Sequence, residues 1–166
     1  MTIRPILRFP DVRLRTPADP VTAFDGALAS LAADLVDTMR AAPGVGITGP
    51  HIGVLQAITV IEIAPSAGPR IFVNPVVVST SRETIRQREG SVSMPGFTDE
   101  VERPARVDVR YQTLDGLWQN LEADGWMSAC LQHEIDQING IFWLYRLSRL
   151  KRERLVKTYE KGLKLR

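Results

Sequence analysis

The sequence is poor in the side chains that usually build metal and redox sites. There is one cysteine, Cys130, so neither an internal disulfide nor a multi-cysteine metal cluster is available. There are two histidines, His51 and His133, so the chain offers at most two imidazoles and one thiolate to any ion. No apolar run approaches the roughly 18 residues of a membrane span, and the first ten residues carry Arg4 and Arg8 rather than a signal-peptide core. The expected compartment is the cytoplasm. No repeat or low-complexity segment interrupts the chain, and 166 residues suit one compact domain, 1–166.

Charge is nearly balanced overall, at +2, but unevenly spread. From Arg146 to Arg166 nine Lys or Arg stand against two Glu, a local +7, leaving −5 on residues 1–145. A basic tail on an acidic body suits contact with RNA, a ribosome surface or an acidic partner. The plainer reading is a solvated helical face, since no aromatic or phosphate-binding pattern accompanies the charge and nothing points to specific DNA binding.

Periodicity gives the elements. Phe24, Leu28, Leu31, Ala32, Leu35, Val36 and Met39 recur at helical steps from about Thr22 to Ala42, stopped by Pro43-Gly44. Residues 56–63 read as a strand. Residues 70–79 read as a second, which Asn74-Pro75 bends or confines to an edge, and 84–88 as a third. Val107, Val109 and Tyr111 alternate on one face of 106–112, and Asp115-Gly116 turns the chain into a returning arm at 117–123. A helix over 125–138 stops at Asn139-Gly140. Residues 141–145 read as a short strand, and a last helix follows Ser148 with Leu155, Tyr159 and Leu163 on one face. This order predicts an α+β fold with antiparallel sheet.

The chemistry concentrates in Leu131-Gln-His-Glu-Ile-Asp-Gln-Ile-Asn-Gly140. A helical HExxH pattern aims two imidazoles, at i and i+4, at one metal with the glutamate as general base. Here His133 and Glu134 are in place, but Gln137 stands where the second histidine belongs. Gly44-Val-Gly-Ile-Thr-Gly49 matches the dinucleotide pattern GxGxxG, but it follows a helix rather than a strand and opens no βαβ unit.

Three segments together resemble the peptide deformylase family. Gly44-Val-Gly-Ile-Thr-Gly-Pro-His51 is similar to its glycine-bracketed first motif, which ends in Gln. Glu89-Gly-Ser-Val-Ser93 is similar to Glu-Gly-Cys-Leu-Ser, and the 132–137 segment to Gln-His-Glu-x-Asp-His. Order, spacing and flanks agree over nearly the whole chain. The resemblance implies antiparallel sheets around the helix that carries His133, with a basic C-terminal helix. It also implies a bacterial-type hydrolase that removes the formyl group from N-formylmethionyl chains, with Fe(II), Zn or Ni held by one Cys and two His.

Carried over by position, the metal ligands fall on Ser91, His133 and Gln137, and the acid/base on Glu134. The groups polarising the formyl oxygen fall on His51 and the Val92 amide. Val45, Gly46, Ser91, Val92, Trp126, Ala129, Cys130 and His133 line the substrate cleft, where Trp126 replaces a smaller aliphatic residue. Two of the three implied ligands are thus neutral groups, and only His133 is a good transition-metal donor. The expectation is a deformylase-like protein with no tightly bound metal and without standard deformylation, retained to bind a formyl-methionyl or other peptide end, or to regulate. The alternative is an active amide hydrolase with a rebuilt site, using a metal on His51, His133 and Glu134 or a metal-free pair of Ser91 and His133. A lone Cys130 reads as a small hydrophobe, and a Ser91–His133 hydrogen bond is expected to fill the vacated ligand position.

Overall fold

A computed structural model describes residues 2–164. Its first helix, α1 (Gly26–Ala41), starts four residues later than periodicity suggests. The reason is local. Asp25 is the cap, its carboxylate accepting from the Ala27 and Leu28 amides, and this leaves Phe24 outside the helix, packed on the same core. The buried stripe Leu28, Ala32, Leu35 and Met39 is the one expected.

Two antiparallel sheets follow. The larger has the order β1 (Gly46–Thr48), β2 (Ile58–Ile61), β3 (Arg70–Thr80), β6 (Arg106–Gln112) and β7 (Trp118–Asp124), and the smaller pairs β4 (Thr84–Gly90) with β5 (Thr98–Pro104). The Asn74-Pro75 interruption does not place β3 on an edge, because β2 and β6 flank it on both sides. The strand bends instead: the register slips between Val73 and Val76, and Asn74 takes a left-handed φ of 49°. The Asn74 side chain stabilises that bend, receiving the Val21 amide and donating to the Val21 carbonyl and to Gln112. The hairpin turns at Gly116, with Gln112 opposite Trp118.

Helix α2 (Gly125–Ile138) matches its expected span. Leu131 and Ile135 pack on Ile61, Phe72, Val107 and Val109, so the sheet holds one side of the helix in a dry core. Residues 141–145 are not a strand. Trp143–Arg146 form one 3-10 turn whose Trp143 and Leu144 are buried, with Phe142 stacked on Phe9. A short apolar run does not distinguish these conformations by periodicity. Helix α3 (Arg149–Lys164) buries Tyr159 and half-buries Leu155, while Leu163 is exposed, which corrects the third member of its face. Of the basic tail, residues 165–166 lie outside the described residues. No helix among the described residues is long and apolar enough to cross a membrane.

Candidate active site

The three motifs converge on one cavity of about 490 Å³, between the loop leading into β1, the turn after β4, and α2. Val45, Gly46, His51, Ser91, Val92, Trp126, Ala129, Cys130, His133 and Glu134 all line it. Its size falls within the roughly 300–1,000 Å³ of small-molecule sites. Gln137 is the one implied site residue that does not line it. That side chain is buried one turn deeper in α2, where its Nε2 donates to the Leu14 carbonyl at 2.8 Å. The amide at the second ligand position is thereby engaged in core packing.

His51 is held by a 3-10 turn, Gly49–Ile52, and is fully buried. The Thr48 amide donates to its Nδ1 at 3.0 Å, and the Thr48 hydroxyl lies 2.9 Å from the same nitrogen. Since Nδ1 receives an N–H, it carries the lone pair, and the neutral ring bears its proton on Nε2. Burial, and then the nearby His133, push the imidazolium down to about 3, so the ring is neutral at ordinary pH. His51 therefore presents a fixed N–H to the cavity, facing the Ser91 Oγ at 3.4 Å. The Ser–His contact that forms is with His51, not with His133 as expected. A protonated Nε2 can neither deprotonate Ser91 nor donate a lone pair to a cation.

Ser91 Oγ also accepts the Ser93 amide at 3.1 Å, which closes the turn after β4. The carbonyl of Val92 accepts the Arg8 guanidinium at 2.6 Å. Burial pushes the Cys130 thiol up to about 12, which disfavours its nucleophilic thiolate form.

His133 is oriented by a buried charge network. Its Nδ1 donates to Glu89 Oε2 at 2.8 Å, leaving Nε2 on the cavity side. Burial opposes the imidazolium, but the Glu89 bond and the neighbouring Glu134 outweigh it and raise His133 above its ordinary value. Glu89 is also gripped by Arg103 through Nε and Nη2, at 2.5 and 2.9 Å. The third arm of Arg103 reaches Asp136 at 2.8 Å, and Asp136 in turn receives Arg146. Sequence reasoning missed Arg103 and met Arg146 only as the first charge of the basic tail. The only signal was an arginine at an inward position of β5, in a segment too polar to read as a strand.

Glu134 lies apart from this network. It is 5% exposed, its Oε2 has no hydrogen-bond partner, and burial pushes its carboxyl up to about 7. It packs against the Gly46 Cα so closely that a Cβ there would run into the carboxylate. Glycine at 46 is needed for that approach.

The donors present do not fit the ion that a Cys and two His hold. Ser91 is neutral, Gln137 is turned into the core, and His51 points an N–H. Among the described residues no three His, Cys, Asp or Glu side chains form a group able to hold a metal. What remains is a preorganised cleft with an N–H donor, a hydroxyl, an imidazole and a carboxylate set in apolar walls.

An α+β fold whose central helix carries an HE pair beside a glycine-bracketed loop and a Glu-Gly turn defines a deformylase-type architecture. The sequence model of the polypeptide deformylase family matches residues 3–153, and the chain belongs to that family. A peptide deformylase-like protein of Rhizobium meliloti is 63% identical over 97% of this chain and 94% of its own. In Brucella suis a peptide deformylase-like protein is 60% identical, covering 97% of this chain and 98% of its own, and a peptide deformylase is 42% identical over 97% and 94%. The crystal structure of a Legionella pneumophila peptide deformylase superposes with a TM-score of 0.92 at 39% identity, over 99% of this chain and 97% of that one. A peptide deformylase from Ehrlichia chaffeensis, solved in complex with actinonin, gives 0.91 at 33% identity over 98% of each chain.

Proposed function

We propose that this chain binds a peptide end in the deformylase cleft and does not hydrolyse formyl amides by the family route. The observation that carries this is Gln137, the amide at the second ligand position, bonded to the Leu14 carbonyl. Metal coordination lowers the pKa of water from 15.7 to about 7. With Ser91 and Gln137 as neutral groups and His51 protonated on Nε2, only His133 offers a lone pair, so no tight metal activates a water for Glu134. The rebuilt-site alternative meets the same obstacle, since His51 serves neither as a ligand nor as a base toward Ser91.

In this reading Glu134, His51 and the Val92 amide are the polar contacts, and Val45, Gly46, Trp126, Ala129 and Cys130 form the apolar wall. Brucella suis supports the reading: it holds a relative named deformylase-like and another named deformylase, and this chain is nearer the first. We assign the protein to the cytoplasm, with the exposed basic side of α3 available to RNA or a ribosome surface.

The test is formate release from formyl-Met-Ala-Ser, by protein supplied in turn with Fe(II), Ni(II) and Zn(II). No release above that of Glu134→Gln is expected. Turnover that Glu134→Gln abolishes would overturn the proposal. The pair Ser91→Cys with Gln137→His is expected to gain a metal site that the native chain lacks.

A further inference from the structure

Two guanidiniums at the mouth of the cavity are held by no carboxylate. Arg8 is fixed beside the site from both sides: the Leu7 amide donates to the His51 carbonyl at 2.8 Å, and the Phe9 amide to the Ser93 carbonyl at 3.0 Å. Its Nη1 donates to the Val92 carbonyl, a neutral partner. Arg88, on β4, donates from Nη1 to the Thr98 hydroxyl at 3.2 Å, again a neutral oxygen. Both arginines line the cavity and are exposed to solvent. Among the described residues neither forms an ion pair. Glu100 stands opposite Arg88 in the ladder without pairing with it, and Asp99, which feels the Arg88 charge, is bonded to Lys151 at 3.0 Å. The carboxylates that line the cavity are withdrawn from it. Glu89 is gripped by Arg103 and His133, while Glu134 is 5% exposed and its Oε2 is closed off from solvent. A guanidinium carries five N–H donors in a planar fork that matches a carboxylate. The cavity thus presents two such forks, largely unused, and no open negative charge.

We infer that this cavity takes a small anionic ligand, a short peptide or amino-acid derivative whose carboxylate seats on Arg8 and Arg88 while its apolar body lies against Val92, Trp126 and Ala129. Arginines, apolar wall and His51 line one cavity of about 490 Å³, so one small molecule reaches all three. The fixed N–H of His51 is left for a carbonyl oxygen of that molecule. A cationic ligand is disfavoured, since it would face two uncompensated guanidiniums and meet no open carboxylate. The carboxylate is either a chain end or an acidic side chain close to the bound residue, and the two offer the arginines the same chemistry. The inference rests on the peptide-end reading above and adds a charge requirement to it: a short acidic ligand is preferred over a neutral one of the same length.

The experiment is isothermal titration calorimetry on the full chain at pH 7.5 and low salt. The probes are acetyl-Met, acetyl-Met-Ala and acetyl-Met-Ala-Ser, each as free acid and as carboxamide, together with acetyl-Met-Asp-amide. At least one acid is expected to bind about five-fold or more tightly than its carboxamide, the scale of an exposed arginine–carboxylate contact reinforced by a second arginine. This comparison uses the native protein, so it does not depend on how a variant folds. The preference is expected to shrink to about two-fold or less in high salt, which screens exposed charges, and in the double variant Arg8→Gln with Arg88→Gln. Arg86→Gln, at a β4 arginine paired with Glu102 and outside the cavity, is expected to retain it. Acetyl-Met-Asp-amide binding as tightly as the best acid identifies an acidic side chain as the source of the carboxylate. Weaker binding identifies a chain end, and both uphold the anion. Carboxamides that bind as tightly as their acids, or a preference that survives the double variant or is lost equally in Arg86→Gln, overturn this inference and leave the peptide-end reading standing. Binding of none of the probes overturns both.

Discussion

Arg103→Met tests whether the charge network beneath the cavity holds the site in place. Arg103 and Glu89 side chains are each 4% exposed, and Asp136 is 11% exposed. Methionine keeps the stem's volume but strips three charge-assisted hydrogen bonds from two carboxylates. Glu89 is left with His133, and Asp136 with Arg146. Removing one partner of such a buried set costs about 3–5 kcal/mol, and urea unfolding at pH 7 measures it. The acid limb gives a second reading. Burial alone would raise the Glu89 carboxyl, but the bonds from Arg103 and then His133 outweigh it and hold it at about 2, against 4.5 for the free group. A depressed carboxyl contributes stability above its unfolded value, and that stability is lost as pH falls from about 4.5 through 2. At 1.36 kcal/mol per unit this amounts to roughly 3 kcal/mol. In Arg103→Met burial regains control of Glu89, so the loss below pH 4.5 shrinks. The exposed pair Arg86–Glu102 is the control, with Arg86→Met within about 0.5 kcal/mol of native. A variant within about 1 kcal/mol of native at pH 7, with an unchanged acid limb, would refute the reasoning.

Gln137→Ala removes the bond to the Leu14 carbonyl and leaves it buried without a donor, an expected loss of about 2–3 kcal/mol by urea unfolding. Gly46→Ala drives a methyl into the Glu134 carboxylate, costing about 1–3 kcal/mol, and a double-mutant cycle with Glu134→Ala is expected to recover most of it. Cys130, held near 12 by burial, is expected to react with an aromatic disulfide reagent at pH 8 at least about 100-fold more slowly in the native chain than in urea.

That the three motifs meet at one cavity was legible in the sequence, and how their side chains bond was not. Helix α2 was readable end to end because its apolar period is regular and Asn139-Gly140 closes it. Strand β5 was missed, since Asp99-Glu-Val-Glu-Arg103 reads as polar, and its inward Arg103 makes sense only beside Glu89 and Asp136. Strand β1 is three residues long inside a glycine loop, too short to show alternation. The state of His51 depends on the backbone amide of Thr48, and the direction of Gln137 on a carbonyl 123 positions away in sequence. Spacing on one helix brings residues 133 and 137 to the same face, but it carries no information about what waits there. For the same reason the motifs suggest Ser91 beside His133, whereas in the fold it meets His51.

Metal content per chain tests the proposed loss of donors at the family's metal position. Protein prepared without a histidine tag or chelator, under oxygen-free conditions, is measured by plasma mass spectrometry. Iron, zinc and nickel are expected at background level in the native chain, with metal gained in Ser91→Cys with Gln137→His. Near-stoichiometric metal in the native chain would contradict it, and would require His51 to give up the Nε2 proton that Thr48 imposes.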